Sequence, residues 1–179
     1  MGEFGAHQQN SDIIDEIARA ALALSKKKIG ALMAIERETG LKSYIETGTE
    51  IDSNITSHIL ISIFIPQSPL HDGAVVIRHG RIVAAGCVLP LTQEERGLPK
   101  SLGMRHRAAI GISEETDAVS VVVSEETGAI SVASGGKLMH GLDEASLIKI
   151  LKGIFFNPTK RTAFRIASRF SSKAQRARI

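Results

Sequence analysis

The chain has 179 residues, the length of one domain, and a domain of that size buries about two thirds of its unfolded surface without metals or staples. Hydrophobic residues make up 43% and charged residues 23%, a balance that excludes wholesale disorder, collagen-like repeats and coiled coil. A single cysteine, Cys87, excludes a disulfide framework or a cysteine-rich zinc site and fits a reducing cytosol. No run of about 18 apolar residues exists to span a bilayer. The net charge of +3 hides an asymmetry: Lys160, Arg161, Arg165, Arg169, Lys173, Arg176 and Arg178 meet no acid after residue 160, so those seven leave the preceding residues at −4. Nucleic-acid binding would place positive charge on the folded body, and one tyrosine with no tryptophan supplies little base stacking, so no nucleic-acid partner is expected.

Residues 1–10 carry no apolar periodicity and no signal-peptide pattern, and read as an appended leader of the kind expression vectors leave. The natural chain is then expected to begin further upstream. Ser11 or Asp12 is positioned to cap a helix to about Lys28, with acids in its first turn and Lys26-Lys27-Lys28 in its last. Its Ile13, Ile14, Ile17, Ala21 and Leu24 recur at helical spacing. Ile29 to Ile35 reads as a buried strand, with Gly40 in the turn that follows. Asp52 or Ser53 is the expected cap of a second helix burying Ile55, Ile59, Leu60 and Ile63 and stopped by Pro66.

Val75-Val76-Ile77 and Arg81 to Val88 flank His79-Gly80, the signature of a tight hairpin. Thr92 to Lys100 is a polar loop, Arg105 to Ile112 a helix, and Val119 to Val123 a β-branched strand. Ala129 to Ala133 is a further strand, with Ser134-Gly135-Gly136-Lys137 as its turn. Asp143 caps a last helix carrying Leu147, Ile148 and Leu151. Beyond Pro158 the tail is either a solvated terminus or a basic amphipathic helix through Phe164, Ala167 and Phe170. Strands and helices alternate while hairpins interrupt them, so the expected fold is α/β: a single globular domain with a central mixed sheet flanked by helices.

The chain lacks G-x-G-x-x-G, a complete Walker A, G-x-S-x-G and H-E-x-x-H, which disfavours an ordinary P-loop or Rossmann enzyme, a serine hydrolase and a zincin. His58, His79 and His140 are scattered and read as surface or packed histidines. Three segments can carry chemistry. Pro69-Leu70-His71-Asp72-Gly73-Ala74 sets a histidine and a carboxylate at a strand entrance, followed by small residues that let a ligand approach; Asp-Gly is equally a common turn dipeptide. Gly103-Met104-Arg105-His106-Arg107 opens a helix, where guanidinium forks and backbone N–H groups suit phosphate, although a solvated basic turn has the same composition. Ser124-Glu125-Glu126-Thr127-Gly128 closes a strand, a place for a ribose or metal contact or simply an exposed acidic turn. Together they supply the parts of phosphoryl or nucleotidyl transfer.

Asp72-Gly73-Ala74 and Arg105-His106-Arg107, in this order and spacing, resemble the paired signatures of the diadenylate cyclase family. The likeness runs from about Ile13 to Phe155 and includes Ile29-Gly30-Ala31-Leu32, Ile35-Glu36-Arg37, Tyr44 to Gly48 and Val123 to Gly128. It is greatest to the catalytic domain of the membrane-anchored cyclases of Gram-positive bacteria, which implies a cytoplasmic domain at residues 11–157, a basic tail at 158–179, and membrane helices upstream in the parent protein. The resemblance implies condensation of two ATP into cyclic di-AMP and two pyrophosphates across a face-to-face homodimer, with Mn²⁺, Co²⁺ or Mg²⁺. It makes Asp72, Arg105, His106 and Arg107 catalytic, and His71, Asp72 and Glu126 metal ligands. Gly73, Ala74, Leu89, Met104, Ser124 and Glu126 would bind substrate, with Leu89 at the adenine. Many relatives have threonine where this chain has Met104, which removes a hydroxyl contact. One acid and one phosphate clamp cannot close a symmetric two-nucleotide ring alone, which independently favours a C₂ pair. The alternative reading is a sensor domain that holds an adenine nucleotide without turning it over.

Overall fold

In the computed structural model, which describes residues 2–93 and 102–156, the first eight of them as backbone, the strand β1 (Ala31–Ile35) is buried at every position. It pairs in parallel with β3 (Ala74–Arg78) and antiparallel with β5 (Val119–Val123). β4 (Arg81–Cys87) continues the sheet beyond β3, and β2 (Thr49–Asn54) forms that edge. β6 (Ile130–Ser134) and the short β7 (Lys137–Met139) complete the other side, giving the order β2-β4-β3-β1-β5-β6-β7. The sheet is mixed and helix-flanked, as the alternation of patterns predicts.

Alternate residues of β1 feed two separate cores. Ala31, Met33 and Ile35 pack with α1 (Gly2–Lys26), α3 (Ser57–Phe64) and α5 (Glu144–Phe156). Leu32 and Ala34 pack with α4 (Met104–Glu115) and residues of the short α2 (Lys42–Ile45). A strand covered on both faces must be apolar throughout, and this one is. Of the first helix's inward set, Ile14, Ile17, Ala21 and Leu24 are fully enclosed, and Ser146 N–H donates to the Asp143 carboxylate at 2.8 Å, the cap expected for α5. The hairpin also forms as expected, with positive φ at His79 (50°) and Gly80 (73°).

Other expectations need correction. α1 starts at Gly2, so neither Ser11 nor Asp12 caps it and residues 2–10 are helical; it ends at Lys26, and Lys28 turns the chain with φ 52°. Asp52 and Ser53 lie in β2, because Arg81 Nε donates to Asp52 at 2.8 Å across the β2–β4 ladder and holds that segment extended. The true cap of α3 is Thr56, whose hydroxyl accepts from Ile59 N–H at 3.2 Å. Glu16 of α1 accepts from Ser57 N–H, and that bond holds its carboxyl below the usual range. α2, β2 and β7 were too short or too polar to read from periodicity. Of the polar loop only Thr92 and Gln93 are described, and the tail beyond Pro158 lies outside the described residues.

The seat of α4 is set by one close approach. A methyl on Gly111 would lie 2.1 Å from the Pro90 carbonyl oxygen, a backbone atom that cannot step aside. Gly111→Ala is expected to cost about 2 kcal/mol, lowering Tm by about 5 °C, whereas Gly40→Ala, with nothing within 4 Å, leaves Tm unchanged; thermal unfolding of both variants checks this.

Candidate active site

The strand registers bring the expected functional segments to one end of the sheet. Ala31 faces Val123 and Ala74 faces Cys87, while Met33 pairs with Val75, so Gly30, Gly73, Cys87 and Ser124 stand at the same level. The N-terminus of α4 arrives there too. Gly103 is its cap residue and offers no side chain to the first N–H groups, an arrangement suited to an anion.

Two adjoining clefts open at this end. The larger, about 210 Å³, is lined by Asp72, Gly73, Val88, Leu89 and Met104, with Leu32, Cys87, Leu91, Arg105 and Ala108 completing it. The smaller, about 80 Å³, lies between the first turn of α4 and the 123–126 segment. Met104 and Arg105 border both.

Gly73 brings the Asp72 segment against β4. It has φ 109°, and a side chain there would lie 2.7 Å from the carbonyl carbon of Gly86. Asp72 itself is exposed at the cleft edge. His71 is half-buried, with Nδ1 2.7 Å from the Ser68 carbonyl oxygen. A carbonyl only accepts, so Nδ1 carries the proton and Nε2 keeps its lone pair, the tautomer that suits a metal ligand. Leu89 is buried at the cleft wall, and Val88 and Met104 are exposed apolar side chains at its mouth. Burial pushes the Cys87 thiol up to about 11, so it is no nucleophile at neutral pH.

Arg105 reaches into the site, its Nη1 3.0 Å from a Glu125 carboxylate oxygen. Arg107 lines neither cleft: two positions along a helix it turns to another face, as the spacing predicts, and its carbonyl accepts from Thr92 N–H at 3.0 Å. His106, expected among the catalytic residues, lies deeper than Arg105. It is 3% exposed, its ring tilted against His140 at 6.1 Å, and burial followed by the charge of His140 lowers its pKa. The imidazole is enclosed within the first turn of α4, and its buried Nε2 has no hydrogen-bond partner among the described residues.

Ala74, expected to bind substrate beside Gly73, is wholly buried in β3 and lines neither cleft. Ser124 is buried, and its hydroxyl oxygen accepts from Glu126 and Thr127 N–H at 3.3 and 3.2 Å, shaping the turn while keeping its own proton to donate. Glu126 lines the smaller cleft, apart from Asp72 in the larger, and His71 lines neither. Among the described residues no three His, Cys, Asp or Glu converge, so the expected His71, Asp72 and Glu126 set is not a ready-made cage. Two residues that the sequence places in named segments without a site role of their own belong here: Gly30, beneath the Arg105 guanidinium, and Glu125, its partner. A glycine directly before a buried strand was the available signal for the first; the second was hidden in an acidic turn.

His106 makes stability pH-dependent in a definite sense. Its folded pKa lies below the ordinary 6.5, so its contribution is complete above about pH 6.5 and is lost as pH falls toward the folded value. Tm is expected to fall between about pH 7 and 5.5, and His106→Gln to flatten that slope in thermal melts across the same window.

The family model described as DisA bacterial checkpoint controller nucleotide-binding (DAC) matches residues 18–138. The chain is 48% identical over 150 residues to the cyclic di-AMP synthase CdaA of Bacillus subtilis, covering 84% of this chain and 55% of that protein. It is 47% identical over 144 residues to a diadenylate cyclase of Listeria monocytogenes, covering 80% and 52%. The chain thus spans about half the length of the curated relatives it matches. The crystal structure of a double mutant of DacA from Staphylococcus aureus superposes with a TM-score of 0.79 at 48% identity, over 81% of this chain and 96% of that one. The family model covers most of the chain, and relatives and a solved structure at close to half identity agree with it, so the chain belongs to the DAC nucleotide-binding family.

Proposed function

We propose that the chain is a diadenylate cyclase, condensing two ATP into cyclic di-AMP and two pyrophosphates. The observation that carries this is the placement of Asp72 and Arg105 around one open cleft walled by Leu32 and Leu89. An apolar slot with a few convergent polar groups fits an adenine nucleotide, its base against Leu89 and its phosphates toward Arg105. The similarity to the B. subtilis cyclic di-AMP synthase and the L. monocytogenes diadenylate cyclase supports the same reading.

The chemistry is two in-line displacements. The 3′-oxygen of each ATP bonds to the α-phosphorus of the other, the bond from that phosphorus to its bridging oxygen breaks, and pyrophosphate departs. The hydroxyl proton passes to Asp72, exposed and free of any protein cation within ion-pair distance among the described residues. Arg105 neutralises phosphate charge, and its planar fork suits two oxygens of one phosphate. Ser124 offers the remaining hydroxyl proton beside it. Arg107 acts from another face of the helix, and Met104 gives apolar contact where a hydroxyl would bond.

The chain offers part of a donor set for a divalent cation such as Mn²⁺, Co²⁺ or Mg²⁺. Asp72 is exposed, His71 keeps its Nε2 lone pair, and hard cations at phosphate sites take one or two carboxylates with phosphate oxygens completing the shell. Asp72 would hold it with phosphate oxygens completing the shell, while His71, outside both clefts, and Glu126, in the adjoining one, would join only if brought toward Asp72. Bound there, it would neutralise phosphate charge and favour the ionised 3′-oxygen.

A cleft of about 210 Å³ is smaller than sites that enclose drug-sized ligands, so the chain supplies half of a shared chamber. Val88 and Met104, 67% and 61% exposed at its mouth, offer apolar surface to a second copy related by a two-fold axis. Attachment of the parent protein to a membrane belongs to the same proposal; among the described residues no helix is long and apolar enough to cross one.

Incubation with ATP and Mn²⁺ followed by mass spectrometry is expected to give cyclic di-AMP, and Asp72→Asn to reduce the rate by at least about 10²-fold, the scale of a lost general base. ATP left intact by a folded protein that binds it would instead establish the sensor alternative. Specific activity is expected to rise with enzyme concentration until dimers saturate; a flat profile across the dimerisation range measured by ultracentrifugation would refute the shared chamber.

A further inference from the structure

Most close-packed glycines here are required by a left-handed backbone or by a neighbouring main chain; Gly30 is required by neither. Its φ lies outside the left-handed region, so an L side chain suits its backbone. The atoms that a Cβ would strike all belong to one side chain: Arg105 Nη1 at 2.6 Å, Cζ at 2.8 Å and Nε at 3.2 Å. The guanidinium occupies the space that a methyl group at residue 30 would fill.

Two further observations concern the same guanidinium. Nη1 donates to Glu125, whose side chain is 65% exposed. Nε is buried and has no hydrogen-bond partner. Arg105 is thus located by a steric seat and one weak acidic contact, and it holds donor capacity in reserve. An exposed carboxylate is a poor permanent partner, because solvent screens it and side-chain entropy opposes the pair. Its two oxygens nevertheless present the geometry that a phosphate would present to the same fork.

We propose that Gly30 is a positioning residue for Arg105, the seat that lets the guanidinium face the cleft, and that Glu125 is an internal anion that a nucleotide phosphate displaces. This rests on reading the cleft as an ATP site. Glu125 occupies the fork until substrate arrives, and the competition lowers apparent affinity only a few-fold, the scale of an exposed pair. Gly30 has the larger effect, since any side chain there swings the fork out of position.

The test is titration of the full chain with ATP in metal-free buffer, with Tm measured alongside, for Gly30→Ala and Glu125→Gln in the wild type and in an Arg105→Ala background. Gly30→Ala is expected to raise the ATP Kd about tenfold, the scale of one charge-assisted hydrogen bond, with Tm unchanged or slightly raised. Glu125→Gln is expected to lower Kd about two- to threefold. Both effects vanish in the Arg105→Ala background if they act through that side chain. An equal Gly30→Ala penalty in both backgrounds, no penalty at all, or weaker binding in Glu125→Gln would overturn the proposal. Should Gly30→Ala fail to fold, the Glu125→Gln pair decides alone. A wild type that binds ATP but makes no cyclic dinucleotide with Mn²⁺ defeats the cyclase reading and leaves these ratios standing; one that binds no ATP defeats both.

Discussion

Everything at the site depends on the double pairing of β1. One strand buried on both faces accepts a parallel neighbour on one side and an antiparallel neighbour on the other, so the starts of β1 and β3 coincide with the ends of β4 and β5. Segments separated by tens of residues along the chain become neighbours because hydrogen-bond register leaves them no other place. A one-residue slip would turn Leu32 and Ala34 into the opposite core and take the cleft wall with them.

α4 converts that sheet end into a charged site. Its buried side packs Ala108, Ala109 and Ile112 on the sheet, and Gly111 lets its backbone meet Pro90. The residues left at its open end divide by depth. His106 goes inward, where burial keeps it neutral, and Arg105 and Met104 go outward to the clefts. About 100° of rotation around the helix axis therefore separates an enclosed imidazole from a guanidinium at the clefts, although the sequence writes them side by side. Depth within the helix, rather than chemical type, assigns their roles.

The pairing of Arg105 with Glu125 and Gly30 has the same origin. Each partner comes from a different element: the start of α4, the turn after β5 and the residue before β1. Only the register of β1 with β5 brings these three together. The metal question is shaped likewise, since Asp72 and Glu126 line different clefts and the chain offers an incomplete donor set that substrate phosphates can complete.

The sequence by itself determined the class of fold, the long strands, the hairpin at His79-Gly80, the cap at Asp143 and the three chemistry-bearing segments, because periodicity, turn chemistry and residue type are local properties. It misplaced the cap of α3, because Asp52 is claimed by Arg81 from a strand that only the folded sheet brings near. It passed over β7, three residues long, because so short a strand exists only by pairing with β6. Tertiary structure alone decided that His106 and Ala74 are enclosed while Asp72 and Arg105 line a cleft, and that Gly30 and Glu125 belong to the same site. Burial and juxtaposition follow from long-range pairing and packing, which no stretch of chain contains within itself.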